Sequence, residues 1–255
     1  MNPSPTLHLN PRDIDAIERA TTAAVSPEAL EELDGWLLPF DPGTVGRAHS
    51  AVPLRHAAID AAVLDRLEAR YQARRMPAVF RLATEPCFDP LRHALIRRGY
   101  HPTERPVLVQ VGSAKAMREV SRQEPAETAS APDAAWAALF VGEGFDPVDG
   151  ASRVKSLGRA RDSLYASVRE NGKTVAAGAM AFGHGWSSVH GMRTDSSCRG
   201  RGLAGRVLAG LAEAALHRGF ERIFLQVEEG NAPARALYRR AGFETAWCYE
   251  YWRRA

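Results

Sequence analysis

At 255 residues and 45% hydrophobic, the chain can bury one large core or two modest ones, and its composition is that of an ordinary soluble globular protein. A formal net charge of +3 carries no signature of nucleic-acid or membrane binding, which requires cations gathered on one face. Cys87, Cys198 and Cys248 are far apart and form no CxxC, so neither a disulfide framework nor a metal site is expected. The first twenty residues lack the basic and then apolar pattern of an export signal, and no run approaches the roughly 18 apolar residues of a membrane span. The expectation is a soluble, cytoplasmic protein with no membrane or nucleic-acid partner.

In chain order, periodicity predicts a helix over Pro11 to Ala24, a strand pair around "GWLLPF" and "GRAHSAVPL", and a helix from Ile59 to Arg74. A strand "AVFRLA", a helix over Pro90 to Arg98 closed by Gly99, and a strand "RPVLVQV" follow. The weakly patterned stretch Ser113 to Asp133 reads as a linker holding at most one short strand. Beyond it, Asp133 caps a helix "AAWAALFVG", and a second helix covers Gly150 to Arg159. Strands "LYASVRE" and "TVAAGAMAF" join through Asn171-Gly172, a two-residue hairpin signal. A third strand, "WSSVHGM", leads into "CRGRGLAGR".

That last stretch alternates glycine with arginine and turns at once into a helix whose apolar residues Leu203, Val207, Leu208 and Leu211 share one face. Bare backbone at a helix N-terminus, where the first amides have no partners and carry partial positive charge, suits a phosphate. A plain loop or an arginine-glycine nucleic-acid contact would have the same composition; the flanking strand and helix favour phosphate. The strand "RIFLQVE" comes next, then "GNAPARALYRRAGF", with Asn231 as N-cap and Gly242 as terminator of a short helix, and a last strand "TAWCYEYWRR". One internal echo stands out: "LRHALIRRGY" and "ARALYRRAGF" share a short basic helix ended by glycine and an aromatic, each after an apolar strand. The halves read as copies of one fold, only the second of which carries the glycine loop.

Arg199-Gly200-Arg201-Gly202-Leu203-Ala204 matches the Arg/Gln-x-x-Gly-x-Gly/Ala loop of the GCN5-related N-acetyltransferases, and "NAPARALYRRAGF" resembles their following segment. The resemblance covers roughly Glu127 to the C-terminus; the N-terminal half resembles, more loosely, the degenerate first half of bacterial tandem members. It implies an α/β (α+β) fold of two such domains, each a mixed, mostly antiparallel twisted sheet flanked by helices. The implied division is residues 1–112, a linker 113–126, and a catalytic domain 127–255. Residues 119–255 are expected to bind CoA alone.

The resemblance further implies an acetyl-CoA-dependent N-acetyltransferase, monomeric or homodimeric, with an amine acceptor and no metal. Amides of Arg199, Gly200, Arg201, Gly202, Leu203 and Ala204 would hold the pyrophosphate; main-chain groups of Met192, Arg193 and Thr194 would pair with the pantetheine arm beside a bulge near Gly191. Asn231 and Ala234 would also contact the cofactor, and Tyr238 matches the tyrosine that protonates the leaving thiolate. The Met192 amide is the expected oxyanion donor. His190 is the first choice of base, and Glu228 the second. A core role remains open for Tyr238, a structural role for His190, solvent exposure for Glu228, and a pure capping role for Asn231. The alternative function is a non-catalytic acyl-CoA sensor.

Overall fold

Asn10 opens the first helix, α1 (Pro11–Val25): its side chain accepts from the backbone of Arg12 and Asp13, and the Asp13 carboxylate accepts from the Asn10 amide. The computed structural model describes residues 9–254; residues 1–8 and Ala255, which the expected division includes, lie outside the described residues. After α1 come β1 (Ala29–Leu33) and β2 (Trp36–Phe40), joined by Asp34-Gly35 with both residues at positive φ. This is the same turn signal as Asn171-Gly172, and β1 went unpredicted although it was readable there. The segment "GRAHSAVPL" is mostly turn, and only β3 (Val52–Pro53) pairs with β2.

Next are α2 (Val63–Ala73), β4 (Phe80–Ala83), α3 (Asp89–Arg97), β5 (Tyr100–Pro102) and β6 (Val107–Ser113). The stretch Ser113 to Asp133 holds the unpredicted α4 (Ala114–Arg118), capped by Ser113, and one short strand as expected, β7 (Glu127–Ala129). Then come α5 (Ala134–Ala138) and α6 (Pro147–Gly158), which starts earlier than predicted because the Asp146 side chain accepts from Val148 and Asp149. The chain ends with β8 (Ser163–Glu170), β9 (Lys173–Gly183), β10 (Trp186–Thr194), α7 (Leu203–His217), β11 (Arg222–Glu228), α8 (Ala232–Arg240) and β12 (Glu244–Arg254).

One nine-stranded sheet runs β4-β12-β6-β11-β10-β9-β8-β7, with β5 also on β12, and β1-β2-β3 form a small separate sheet. The large sheet crosses the expected division twice. β6, from the first half, lies antiparallel between β11 and β12; β12, from the second half, lies antiparallel between β4 and β6. The order β4-β12-β6-β11 reads the same when the two echo copies are interchanged, since β4 and β11 precede the echoed helices and β6 and β12 follow them. The likeness extends outward: β11 takes β10 in parallel, and β4 takes Ala51 in a parallel bridge.

Strand alternation divides β11 between the two faces of the sheet. Ile223, Leu225 and Val227 pack with Leu203, Val207, Leu208 and Leu211 of α7, while Phe224 joins Trp186 and Ile17 of α1 on the other face. Among the described residues no helix is long and apolar enough to cross a membrane.

Candidate active site

β10 and β11 pair in parallel only from Ser187–Ile223 to Val189–Leu225, yet β10 runs on to Thr194 and β11 to Glu228. β10 keeps β9 on its other side, but its register slips between His190 and Arg193, and Gly191 sits at φ +59. A side chain at Gly191 would also press on Leu157 and Phe140, so glycine is required twice over. The strands therefore diverge at the bulge predicted near Gly191. They leave the main chain of Met192, Arg193 and Thr194 along an edge with no strand partner. The Met192 side chain packs into the α7 core, whereas Arg193 stacks over the Phe145 ring at 4.4 Å.

The glycine loop follows. Gly200 and Gly202 take φ +75 and +79, and Gly202 occupies the N-cap position of α7 without any capping side chain. From Arg199 through Ala204, no backbone amide donates to another group among the described residues. A helix start normally recruits side chains for such donors, so this run is an uncapped cluster of N–H groups at the positive end of a fifteen-residue helix. Arg201 is drawn off to Glu170, with nitrogen to oxygen distances of 3.0 and 2.6 Å.

After β11, the Asn231 side chain accepts from the Ala234 amide at 3.2 Å and so caps α8. Tyr238, one face along the same helix, is only 6% exposed and packs edge-on to Phe243 in the core cluster that also holds Leu203, Met192 and Ala234. Its hydroxyl bonds to no other group among the described residues, and burial pushes its pKa up to about 12.

His190 points to the opposite face, beside Phe224, and is 3% exposed. Its Nδ1 lies 3.2 Å from Arg47 Nη1, which can only donate, and its Nε2 lies 2.8 Å from Ser188 Oγ. Burial first, and the Arg47 charge second, hold its pKa well below 6.5. The ring is thus neutral, with Nε2–H donated to Ser188 and its lone pair taken by Arg47. In this arrangement it has no free site for an amine proton. Glu228 is exposed and lines a cavity of about 650 Å³ with Arg47, Gln226, Tyr249 and Tyr251. The slot and loop were predicted; this cavity was not, because its residues come from distant parts of the chain. A larger cleft of about 830 Å³ beside Glu68 and Arg254 lies away from the slot, and those two residues already form an ion pair.

A splayed mixed sheet with an uncapped glycine loop at the mouth of the splay defines an α/β fold of the GCN5-related N-acetyltransferase type. Residues 12–252 match the model of the family described as "Probable histone acetyltransferase Rv0428c C-terminal", and the chain belongs to that family. A curated relative, the mycothiol acetyltransferase of Clavibacter michiganensis, is 39% identical over 71 residues, or 28% of this chain and 23% of that protein. The match thus spans under a quarter of that relative's length. Among solved structures, a GCN5-related N-acetyltransferase from Kribbella flavida superposes with a TM-score of 0.71 at 18% identity, covering 98% of this chain and 96% of that one. A tandem GNAT protein from the clavulanic acid biosynthesis pathway gives 0.60 at 13% identity, covering 94% and 86%. At these identities the structures share the fold.

Proposed function

We propose that the chain is an acetyl-CoA-dependent N-acetyltransferase acting directly on a primary amine. The observation that carries this reading is the unbroken run of unengaged amides from Arg199 to Ala204 where β10 leaves β11. Phosphate oxygens match those donors, and an extended arm matches the free edge of Met192, Arg193 and Thr194. The amine nitrogen attacks the thioester carbonyl, the Met192 amide receives the developing oxyanion, and the C–S bond breaks to release CoA. Tyr238 donates a proton or hydrogen bond to the departing sulfur, and Glu228, directly or through water, takes the amine proton. His190 stays neutral and positions Arg47. Asn231 caps α8 and adjoins the same arm.

The tandem organisation belongs to this proposal: two copies of one fold have exchanged their last strands, β6 and β12. The first copy has "LRHAAID" where the second has the glycine loop, so one acetyl-CoA binds per chain. The test is a melting-temperature titration with acetyl-CoA, expected to follow RT ln(1 + [L]/Kd), together with thiol release over an amine panel. No stabilisation overturns the site. Stabilisation without thiol release from any amine selects a non-catalytic CoA-binding module instead.

A further inference from the structure

Arg47 is a half-buried cation with no carboxylate partner among the described residues. It sits in a turn between Val45 and Ala48, both buried, and that turn is tied to α6 where Ser152 Oγ accepts from the Thr44 amide and Thr44 Oγ1 donates to Asp149. Both of its hydrogen bonds leave from Nη1, to His190 Nδ1 at 3.2 Å and to Gln226 Oε1 at 3.3 Å. Both acceptors are neutral. Among the described residues no carboxylate pairs with it, and its Nε–H and Nη2 donors find no hydrogen-bond partner. Buried arginines normally sit against a carboxylate. Arg81, which is fully buried, obeys the rule, with Glu18 at 2.6 Å.

Arg47 belongs to the wall of the 650 Å³ cavity, whose charged lining is Arg47, Arg105, Arg153 and Arg253 against Glu104 and Glu228. Arg153 is shared with Asp149, at 2.6 Å, and Asp149 also faces Arg193 at 3.7 Å. Tyr249 and Tyr251 add hydroxyls on the same wall; Tyr249 donates to Gln226 at 2.8 Å, which fixes the amide oxygen toward Arg47. The cavity thus offers an excess of cations, one of them half-buried, beside one glutamate at the end of β11. A planar guanidinium with two N–H groups free is shaped for two oxygens of one anion.

We propose, resting on the acetyl-transfer reading above, that the acceptor is a small amine that also carries a carboxylate or phosphate, and that Arg47 binds this anionic group. The acceptor's amine then lies on the Glu228 side of the cavity, and its anion supplies the charge that the half-buried guanidinium lacks. A lysine-rich tail or a polyamine would bring further cations to a wall that already has too many.

The probes are glutamate, β-alanine and phosphoethanolamine, with ethanolamine and alaninamide as uncharged counterparts, and spermidine and a lysine-rich peptide as cationic ones. Binding is read by melting shift and calorimetry on the full chain with CoA present, for wild type, Arg47→Leu and Arg47→Lys. At least one anionic amine is expected to bind wild type. Its affinity should fall on the order of 30-fold or more in Arg47→Leu, the loss typical when one partner of a buried charge pair is removed, and recover in part in Arg47→Lys. Acetyl-CoA affinity stays put. The ligand-free melting temperature of Arg47→Leu equals or exceeds wild type, because an unpaired, partly desolvated charge is gone; a purely structural arginine would lower it. Tighter binding of spermidine or ethanolamine than of every anionic probe, or anionic binding indifferent to Arg47, overturns the inference and leaves acetyl transfer standing. Anionic binding through Arg47 with no thiol release from any amine overturns acetyl transfer and leaves the anion site standing.

Discussion

Tyr238→Phe separates chemistry from packing more cleanly than the sequence suggested. A core tyrosine that loses a buried hydrogen bond costs roughly 1 kcal/mol, but the Tyr238 hydroxyl has no partner among the described residues, so its removal breaks nothing in the folded chain. Phenylalanine keeps the ring and its edge contact with Phe243. The expected change in stability is within about 0.5 kcal/mol, as for a substitution that touches no named interaction. Acetyl-CoA affinity is unchanged because the hydroxyl acts only as the thiolate forms. A hydrogen bond to a charged group contributes about 1.5 to 3 kcal/mol, which corresponds to a fall in kcat of roughly 10- to 150-fold. With its pKa pushed up to about 12, the hydroxyl stays protonated through the working range, so kcat of wild type should show no basic limb from this group between about pH 7 and 10. The assay is saturating thiol-release kinetics beside melting curves and acetyl-CoA calorimetry on the same preparation. Wild-type kcat in Tyr238→Phe refutes the acid role, and a stability loss near 1 kcal/mol or more refutes the unpartnered hydroxyl.

Three further outcomes follow from the same geometry. Gly202→Ala places a Cβ at φ +79, 3.3 Å from the flexible Gln123 side chain, so it should destabilise by roughly 1 to 2 kcal/mol yet keep an acetyl-CoA melting shift; Gly202→Asp adds a charge among the amides and should abolish the shift, and an unchanged shift refutes the pyrophosphate site. Against the sequence-based expectation that residues 119–255 bind CoA alone, that isolated fragment lacks β6, whose buried Val107, Leu108, Val109 and Val111 are worth about 1.5 to 3 kcal/mol each; that loss rivals the roughly 5 to 15 kcal/mol of a whole domain, so the fragment should be unfolded by circular dichroism, and a cooperative, CoA-binding fragment contradicts the exchanged-strand reading. His190 has a native pKa well below its ordinary 6.5, so the unfolded chain takes up that proton first as pH falls. Its share of stability is complete above about pH 6.5 and declines by about 1.36 kcal/mol per pH unit below it; urea unfolding at stepped pH should show a shallower acid decline in His190→Gln, and an equal slope refutes the buried neutral ring.

The glycine loop, the α7 stripe, the Asn171-Gly172 hairpin and the Asn231 cap were legible because each rests on residues within one or two turns of each other. Backbone sterics and capping act at that range, and a sequence displays them directly. The same range explains the near misses: Asp34-Gly35 and Asp146-Pro147 carried equally local signals for β1 and for the start of α6. The echo of "LRHALIRRGY" and "ARALYRRAGF" showed that the halves are alike, but not that β6 and β12 change places. That arrangement depends on which strand edges find each other, and hydrogen bonding between strands is indifferent to the sequence distance between them. His190 illustrates the limit most sharply. Its strand was readable, and it was the first choice of base; only the folded chain brings Arg47 from 143 residues away to occupy its lone pair. Burial and a neighbouring charge set a titration, and both are properties of the assembled interior. The sequence by itself therefore determined the elements and the loop that suits a phosphate. The tertiary structure alone decided which side chains share the acceptor cavity, because electrostatics and packing there act through space, between residues the chain order keeps apart.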